Sequence, residues 1–382
     1  MKAGERGFAP IIYVALISCA LLASVAARGP RPEDSAISRA HASFAPKPPW
    51  APRLDSLVDS LERSGRAGAV SVSRRGITLY KRGFGDAARD RRVRNTPETL
   101  FDIGSIPKTF TAVSIFQLRD AGKLRVSDSL GRFFPSAPPD KRGITLWQLM
   151  THSSGLQLYI DTTGGDFELL NRDSALALAF QQPLRFPPGT REAYSNTGYT
   201  VLAAVVEQAC ACSFEHYVRE HVFQPARMTQ TFFWGDRALP RYRGLVAGGY
   251  VAGVSQGSPR TWPRTWAATG ANGVASSNGD LLRFAESLRT ARLLSLESQR
   301  EMQTTPFRRY AAGWDAYRVD SGQVISKGGS SEFGFKSQLR RHPAEAVSIV
   351  LLFNAVTSSE DQPHQQFGPK VSEIVLGRPF VH

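Results

Sequence analysis

The chain has 382 residues, 42% of them hydrophobic and 21% charged, and a formal net charge of +14 from 47 basic and 33 acidic side chains. That length and balance exclude a fibre or a generally disordered chain and leave room for two or three domains of about 100 to 200 residues each. With 3 cysteines there is no disulfide framework, so the fold must stand on its core. The positive excess favours contact with anionic envelope material. Nucleic acid is disfavoured as a partner, because the arginines are scattered apart from Arg89–Arg94 and no recognised nucleic-acid motif appears.

Residues 1–27 begin with Lys2 and Arg6, run apolar from Phe8 to Ala27, and end with Val25 and Ala27 spaced like a signal-peptidase site. They read as an export signal, which puts the mature chain in the periplasm or elsewhere outside the cytoplasm. A retained membrane anchor is the alternative, since the apolar run is long enough to span a bilayer. Lipidation at Cys19, after Leu16, Ile17 and Ser18, is another. Residues 28–53, rich in Pro, Ala and Ser, read as a stiff linker.

The folded body is expected over residues 54–382. Leu54, Leu57, Val58 and Leu61 lie at helical spacing and stop at Gly65, and a hairpin turning at Arg74–Gly76 follows. The stretch from Thr109 to Leu239 is mostly helical in pattern, with "TFTAVSIFQLRDAG" apolar on most sides and therefore expected inside the protein. Asp280 reads as a capping or first-turn carboxylate of a later helix. After Trp314 the pattern returns to strands, with a last helix through "QQFGPKVSEIVLG". The expected class is α/β of the α+β type: an antiparallel sheet flanked by N- and C-terminal helices (residues 54–104 and 268–382), with an inserted mostly helical part (residues 105–267).

Ser105 and Lys108 stand three apart at a helix start, a spacing that returns to one face and lets the lysine activate the hydroxyl. Pro107 is tolerated in that first turn. Tyr194 and Asn196 follow a Pro-Gly turn and precede another helix. Lys327 lies on a late strand before Gly328 and Gly329, where missing side chains leave the strand edge open to a substrate.

Ser105-x-x-Lys108, Tyr194-x-Asn196 and Lys327-Gly328-Gly329, in this order, resemble the three active-site elements of the serine β-lactamase and penicillin-binding protein superfamily. Within it the Tyr-x-Asn form is similar to class C β-lactamases, DD-peptidases and β-lactamase-fold esterases. The resemblance implies an acyl-enzyme on Ser105 and proton transfers shared by Lys108 and Tyr194. Asn196 would orient Lys108 or the substrate, and Lys327 would supply positive potential. The backbone N–H groups of Ser105 and Ser330 would form the oxyanion hole. It implies no cofactor and a small-molecule or peptidoglycan-type acyl substrate. A penicillin-binding or cell-wall-sensing protein without turnover is the rival reading. Gly328 departs from the hydroxyl that many relatives carry between Lys and Gly, which puts recognition of a substrate carboxylate in doubt.

Four other features carry weaker chemistry. Gly253–Gly257, "GVSQG", matches a nucleophile elbow but lies in a loop without the strand and helix that motif needs. His152 reads as structural, and His216 and His221 have no metal-ligand spacing, so no metal is implied. Trp262 and Trp266 read as packing residues first and cleft residues second. Cys210 and Cys212 read as small buried or helix-end residues.

Overall fold

The computed structural model describes residues 47–160, 165–319 and 322–379. The expected export signal and most of the expected linker lie outside these residues. Among the described residues no helix is long and apolar enough to cross a membrane.

The first helix, α1 (Ala51–Arg63), begins three residues before the body was expected to start, with a proline in its first turn. Leu54, Val58 and Leu61 form its buried stripe. The hairpin strands β1 (Ala67–Arg74) and β2 (Ile77–Phe84) follow. Three long helices fill the middle: α2 (Pro107–Asp120), α3 (Asn196–Cys210) and α4 (Asn278–Arg289). The chain then returns to strands β3 (Asp315–Val319), β4 (Gly322–Ser330), β5 (Lys336–His342) and β6 (Val347–Val356), and closes with α5 (Pro363–Leu376).

The early hairpin and late strands share one antiparallel sheet in the order β3-β4-β5-β6-β1-β2, as the sequence predicts. The alternation of strand side chains gives this sheet two distinct faces. On the outer face Val70, Val72, Ile349, Leu351 and Phe353 pack against Leu54 and Val58 of α1 and Val371 and Val375 of α5. On the inner face Ala69, Ile325, Leu339, Val350 and Leu352 join a larger core with the three middle helices. There α2 is buried nearly all round, with Phe110, Val113, Ile115 and Phe116 each at 1% exposure or less.

Ser277 caps α4 by accepting from the Asp280 N–H, which leaves Asp280 as the first-turn residue. Fully buried, its carboxylate accepts from Gln230 N (2.7 Å) and Thr231 Oγ1 (2.6 Å), tying the helix start to a preceding loop. Cys210 and Cys212 form a disulfide, which corrects their reading as separate small residues. The residue between them, Ala211, takes the left-handed conformation that ends α3 and folds the two cysteines back toward each other. The "GVSQG" stretch carries the exposed second strand of a short β-hairpin, Val254–Ser255 against Tyr250–Val251, and no helix follows Ser255. Trp262 and Trp266 are buried, and Trp262 packs on the rings of Trp234 and Phe333.

Candidate active site

A two-residue strand, Phe101–Asp102, pairs with Val274–Ser276 and delivers the chain to Gly104. Gly104 has φ +51, and a Cβ there would lie 2.8 Å from the Ser330 nitrogen. A Cβ on Gly329 would lie 2.3 Å from the Ile103 carbonyl and 2.8 Å from the Ser105 nitrogen. Only glycines let the start of α2 and the end of β4 approach this closely. Their approach sets the backbone of Gly104–Ser105 against that of Gly329–Ser330, the two segments that carry the N–H groups expected of an oxyanion hole.

Ser105 is 9% exposed and lines a cleft of about 1240 Å³. Three residues on, Lys108 is fully buried, and its Nζ donates to Ser105 Oγ at 3.1 Å and to the Ala271 carbonyl at 2.8 Å. The helical spacing thus brings the hydroxyl and the amine together. Asn272 is a third partner. Asn272 Oδ1 accepts from both Ser105 Oγ and Lys108 Nζ, at 3.4 Å each. No spacing signal in "TGANGV" marks it, because only tertiary packing carries it across the intervening chain to α2.

Tyr194 stands over this pair. Lys108 Nζ lies 5.1 Å and Lys327 Nζ 5.0 Å from the centre of its ring, within cation–π range. Burial pushes the phenol pKa up, and a hydrogen bond with Ser105 opposes that shift. His152 holds the loop on both sides of the tyrosine: its carbonyl accepts from Ala193 N at 2.8 Å and its Nδ1 from Ser195 N at 3.2 Å. Its ring also lies 4.2 Å from that of Tyr194. Burial and the charges of Lys327 and Lys108 hold the His152 pKa well below the usual imidazole value. The neutral ring so favoured is the form in which Nδ1 can accept.

Asn196 opens α3 and lines the cleft, its backbone N–H bonded to the Leu158 carbonyl at 2.8 Å. Its buried Oδ1 meets no hydrogen-bond partner among the described residues. Lys327 is 1% exposed on β4, and burial lowers its pKa while Asp315 opposes the shift. Gly328 faces away from Lys327, onto the outer side of the sheet, where a Cβ would lie 3.2 Å from His364 Nε2. The eight residues picked from the sequence therefore line one cleft or its immediate support, while Asn272, His152 and His364 are added by the fold. Among the described residues no cluster of His, Cys, Asp and Glu could hold a metal ion.

The Beta-lactamase family model matches residues 54–367, most of the chain. The chain belongs to the Beta-lactamase family. It is a serine hydrolase of the β-lactamase fold. Penicillin-binding protein 4* of Bacillus subtilis is 27% identical over 355 residues, covering 86% of this chain and 76% of that protein. A D-aminopeptidase of Gluconobacter oxydans is 26% identical over 349 residues, covering 86% of this chain and 62% of that protein. In structure, the octameric penicillin-binding protein homologue from Pyrococcus abyssi matches with a TM-score of 0.76 at 24% identity, over 86% of this chain and 78% of that one.

Proposed function

We propose that the protein is exported and cleaves an amide or ester through an acyl-enzyme on Ser105. The observation that carries this reading is the 3.1 Å bond between Lys108 Nζ and Ser105 Oγ, beside the closely approaching backbone segments that carry the N–H groups of Ser105 and Ser330. As a neutral amine, Lys108 can donate to the Ala271 carbonyl and Asn272 Oδ1 and aim its lone pair at Ser105. Ser105 Oγ then attacks the carbonyl carbon as its proton passes to Lys108, and the two N–H groups receive the developing negative charge.

Tyr194, kept as a phenol by its raised pKa, gives its proton to the departing amine or alcohol as the bond to the carbonyl carbon breaks. Lys108 restores that proton. Water reverses the sequence, breaking the ester to Ser105 and returning a proton to its oxygen. Asn196 Oδ1 is available to a substrate N–H, and Lys327 supplies positive potential at the strand edge. Similarity to a D-aminopeptidase supports an amide next to a D-amino acid as the substrate class, from a small molecule or a peptidoglycan-type polymer. The apolar N-terminus supports export, and the +14 charge supports residence against an anionic envelope.

Incubation with a fluorescent penicillin, a chromogenic cephalosporin and a short-chain nitrophenyl ester, followed by intact mass, tests the reading. The wild type is expected to acquire an acyl adduct and turn over at least one of these, and Ser105→Ala to lose about 10³-fold or more of the activity with no adduct. Full activity in Ser105→Ala sinks the mechanism. A lasting adduct without turnover on any of the three supports the penicillin-binding alternative instead.

A further inference from the structure

The disulfide between Cys210 and Cys212 lies outside the active-site cleft, at the far end of the helix that Asn196 opens. Only Ala211 stands between its two cysteines. A bridge constrains the unfolded chain more the longer the loop it closes, so this one adds little stability of that kind. It also spans a strained residue. Ala211 is exposed and has φ 55, in the left-handed region that a helix end usually fills with glycine. A bond that constrains so little and bridges a strained, exposed turn is of the kind that exchanges readily with thiols.

The two sulfurs are placed differently. Cys212 lines an open cavity of about 520 Å³ together with Arg172, Glu207 and Ser213, whereas Cys210 does not. A thiolate entering this cavity therefore meets Cys212 first. The sulfur it would displace is prepared to leave. The Cys212 N–H donates to Cys210 Sγ at 3.2 Å, and a donor aimed at a departing thiolate makes it a better leaving group. Cys210 Sγ also lies 3.3 Å from the Cys212 carbonyl oxygen and 3.8 Å from that of Glu207. Either oxygen can accept the S–H of a released Cys210 thiol, so the opened state has hydrogen-bond partners already in place.

We propose that Cys210–Cys212 is a thiol-exchange site, at which Cys212 takes up a small thiol as a mixed disulfide while Cys210 is released. The thiolate attacks Cys212 Sγ, and a new S–S bond forms as the bond to Cys210 breaks. Cys210 leaves with the electron pair and takes a proton from water. A second thiolate attacks the sulfur of the bound thiol, frees Cys212 as a thiolate and departs as the small disulfide. Two small thiols are thereby oxidised as the protein bridge is reduced, and the small disulfide reverses both steps. None of this depends on the acyl-transfer reading of Ser105.

The test uses the full chain, folded, in mixtures of 2-mercaptoethanol and its disulfide. Acid-quenched samples are read by mass on the tryptic peptide that carries both cysteines, which keeps Cys19 out of the measurement. The bridge is expected to open within minutes at about 10 mM thiol without denaturant, with the circular dichroism of the fold unchanged and the trapped adduct on Cys212. In the single variants, Cys210→Ser should take an adduct from the small disulfide about tenfold or more faster than Cys212→Ser, whose remaining sulfur lies away from the cavity. A bridge that stays closed until urea unfolds the chain is a structural staple and overturns the proposal, as do two thiols that the small disulfide never joins. Equal rates in the two variants overturn the assignment of Cys212. Should either variant not fold, fragmentation of the wild-type adduct decides the same point: a label on Cys212 supports the assignment, and a label on Cys210 overturns it.

Discussion

The outer face of the sheet is two surfaces joined along β5. Over β6 and β1 it is apolar and sealed, with Val72, Ile349 and Phe353 packed under α1 and the C-terminal half of α5. Over β4 and β5 it is polar and open to the cleft, with Lys336, Gln338 and His364 buried beside it. One helix, α5, serves both: Val371 and Val375 close the first surface, and His364 looks into the second. The difference teaches how to sort buried residues here. Where apolar side chains fill the layer it is framework, and where polar side chains line it the surface stays open to the cleft.

Protonation separates the two surfaces with the largest expected effect. His342 ends β5 with its Nε2 2.9 Å from Ser372 Oγ, whereas His364 lies at the open end. Burial holds both imidazoles down to about 3, helped by the charge of Arg340 at His342 and of Lys336 at His364. Between the unfolded value of about 6.5 and that folded value, the unfolded chain binds protons that the folded chain refuses. Stability is therefore full above about pH 6.5 and falls as pH falls, by up to about 1.4 kcal/mol per pH unit for each histidine. Urea midpoints from pH 7 to pH 4 should show this slope, and His342→Gln and His364→Gln should each flatten it. A slope unchanged by either substitution breaks the account, and one that only His342→Gln flattens shows that His364 protonates within the folded open half.

Leu54→Ala addresses the sealed half alone. It removes a fully buried side chain from α1 and should cost about 2 to 5 kcal/mol, read as a lower urea midpoint. Hydrolysis of a nitrophenyl ester by the folded fraction should survive it. If KM for that ester rises as well, the two halves form one mechanical unit and the division between them fails.

Much of this arrangement is legible in the residues because it is local. The spacing of Ser105 and Lys108, the apolar wrapping of α2, and the strand pattern in "EAVSIVLLFN" each follow from periods of 3.6 or 2. What is not legible depends on which chain segments meet. Gly328 reads as a lost hydroxyl, and nothing near it announces that α5 will set His364 opposite. Asn272 belongs to a turn whose sequence fits any tight loop, and it gains a role only when that turn packs on α2. Cys210 and Cys212 read as separate small residues, because only the left-handed turn at Ala211 folds one back on the other.

The two asparagines carry the same distinction to the inner face, with the smallest expected effect. Asn272 Oδ1 is engaged inside the protein, holding Ser105 Oγ and Lys108 Nζ at 3.4 Å each. Asn196 Oδ1 is buried in the cleft wall without such a partner. An engaged amide should matter to the chemistry, and an unengaged one to binding. Asn272→Ala is therefore expected to lower kcat about 10- to 100-fold with little change in KM, the loss of one hydrogen bond to a charged or reacting group worth about 1.5 to 3 kcal/mol. Asn196→Ala should raise KM several-fold and leave kcat closer to the wild type. Steady-state kinetics on a single hydrolysed ester distinguishes the two. Reversal of the pattern, with kcat falling in Asn196→Ala and KM rising in Asn272→Ala, would return the orienting role to Asn196 and make Asn272 a substrate contact.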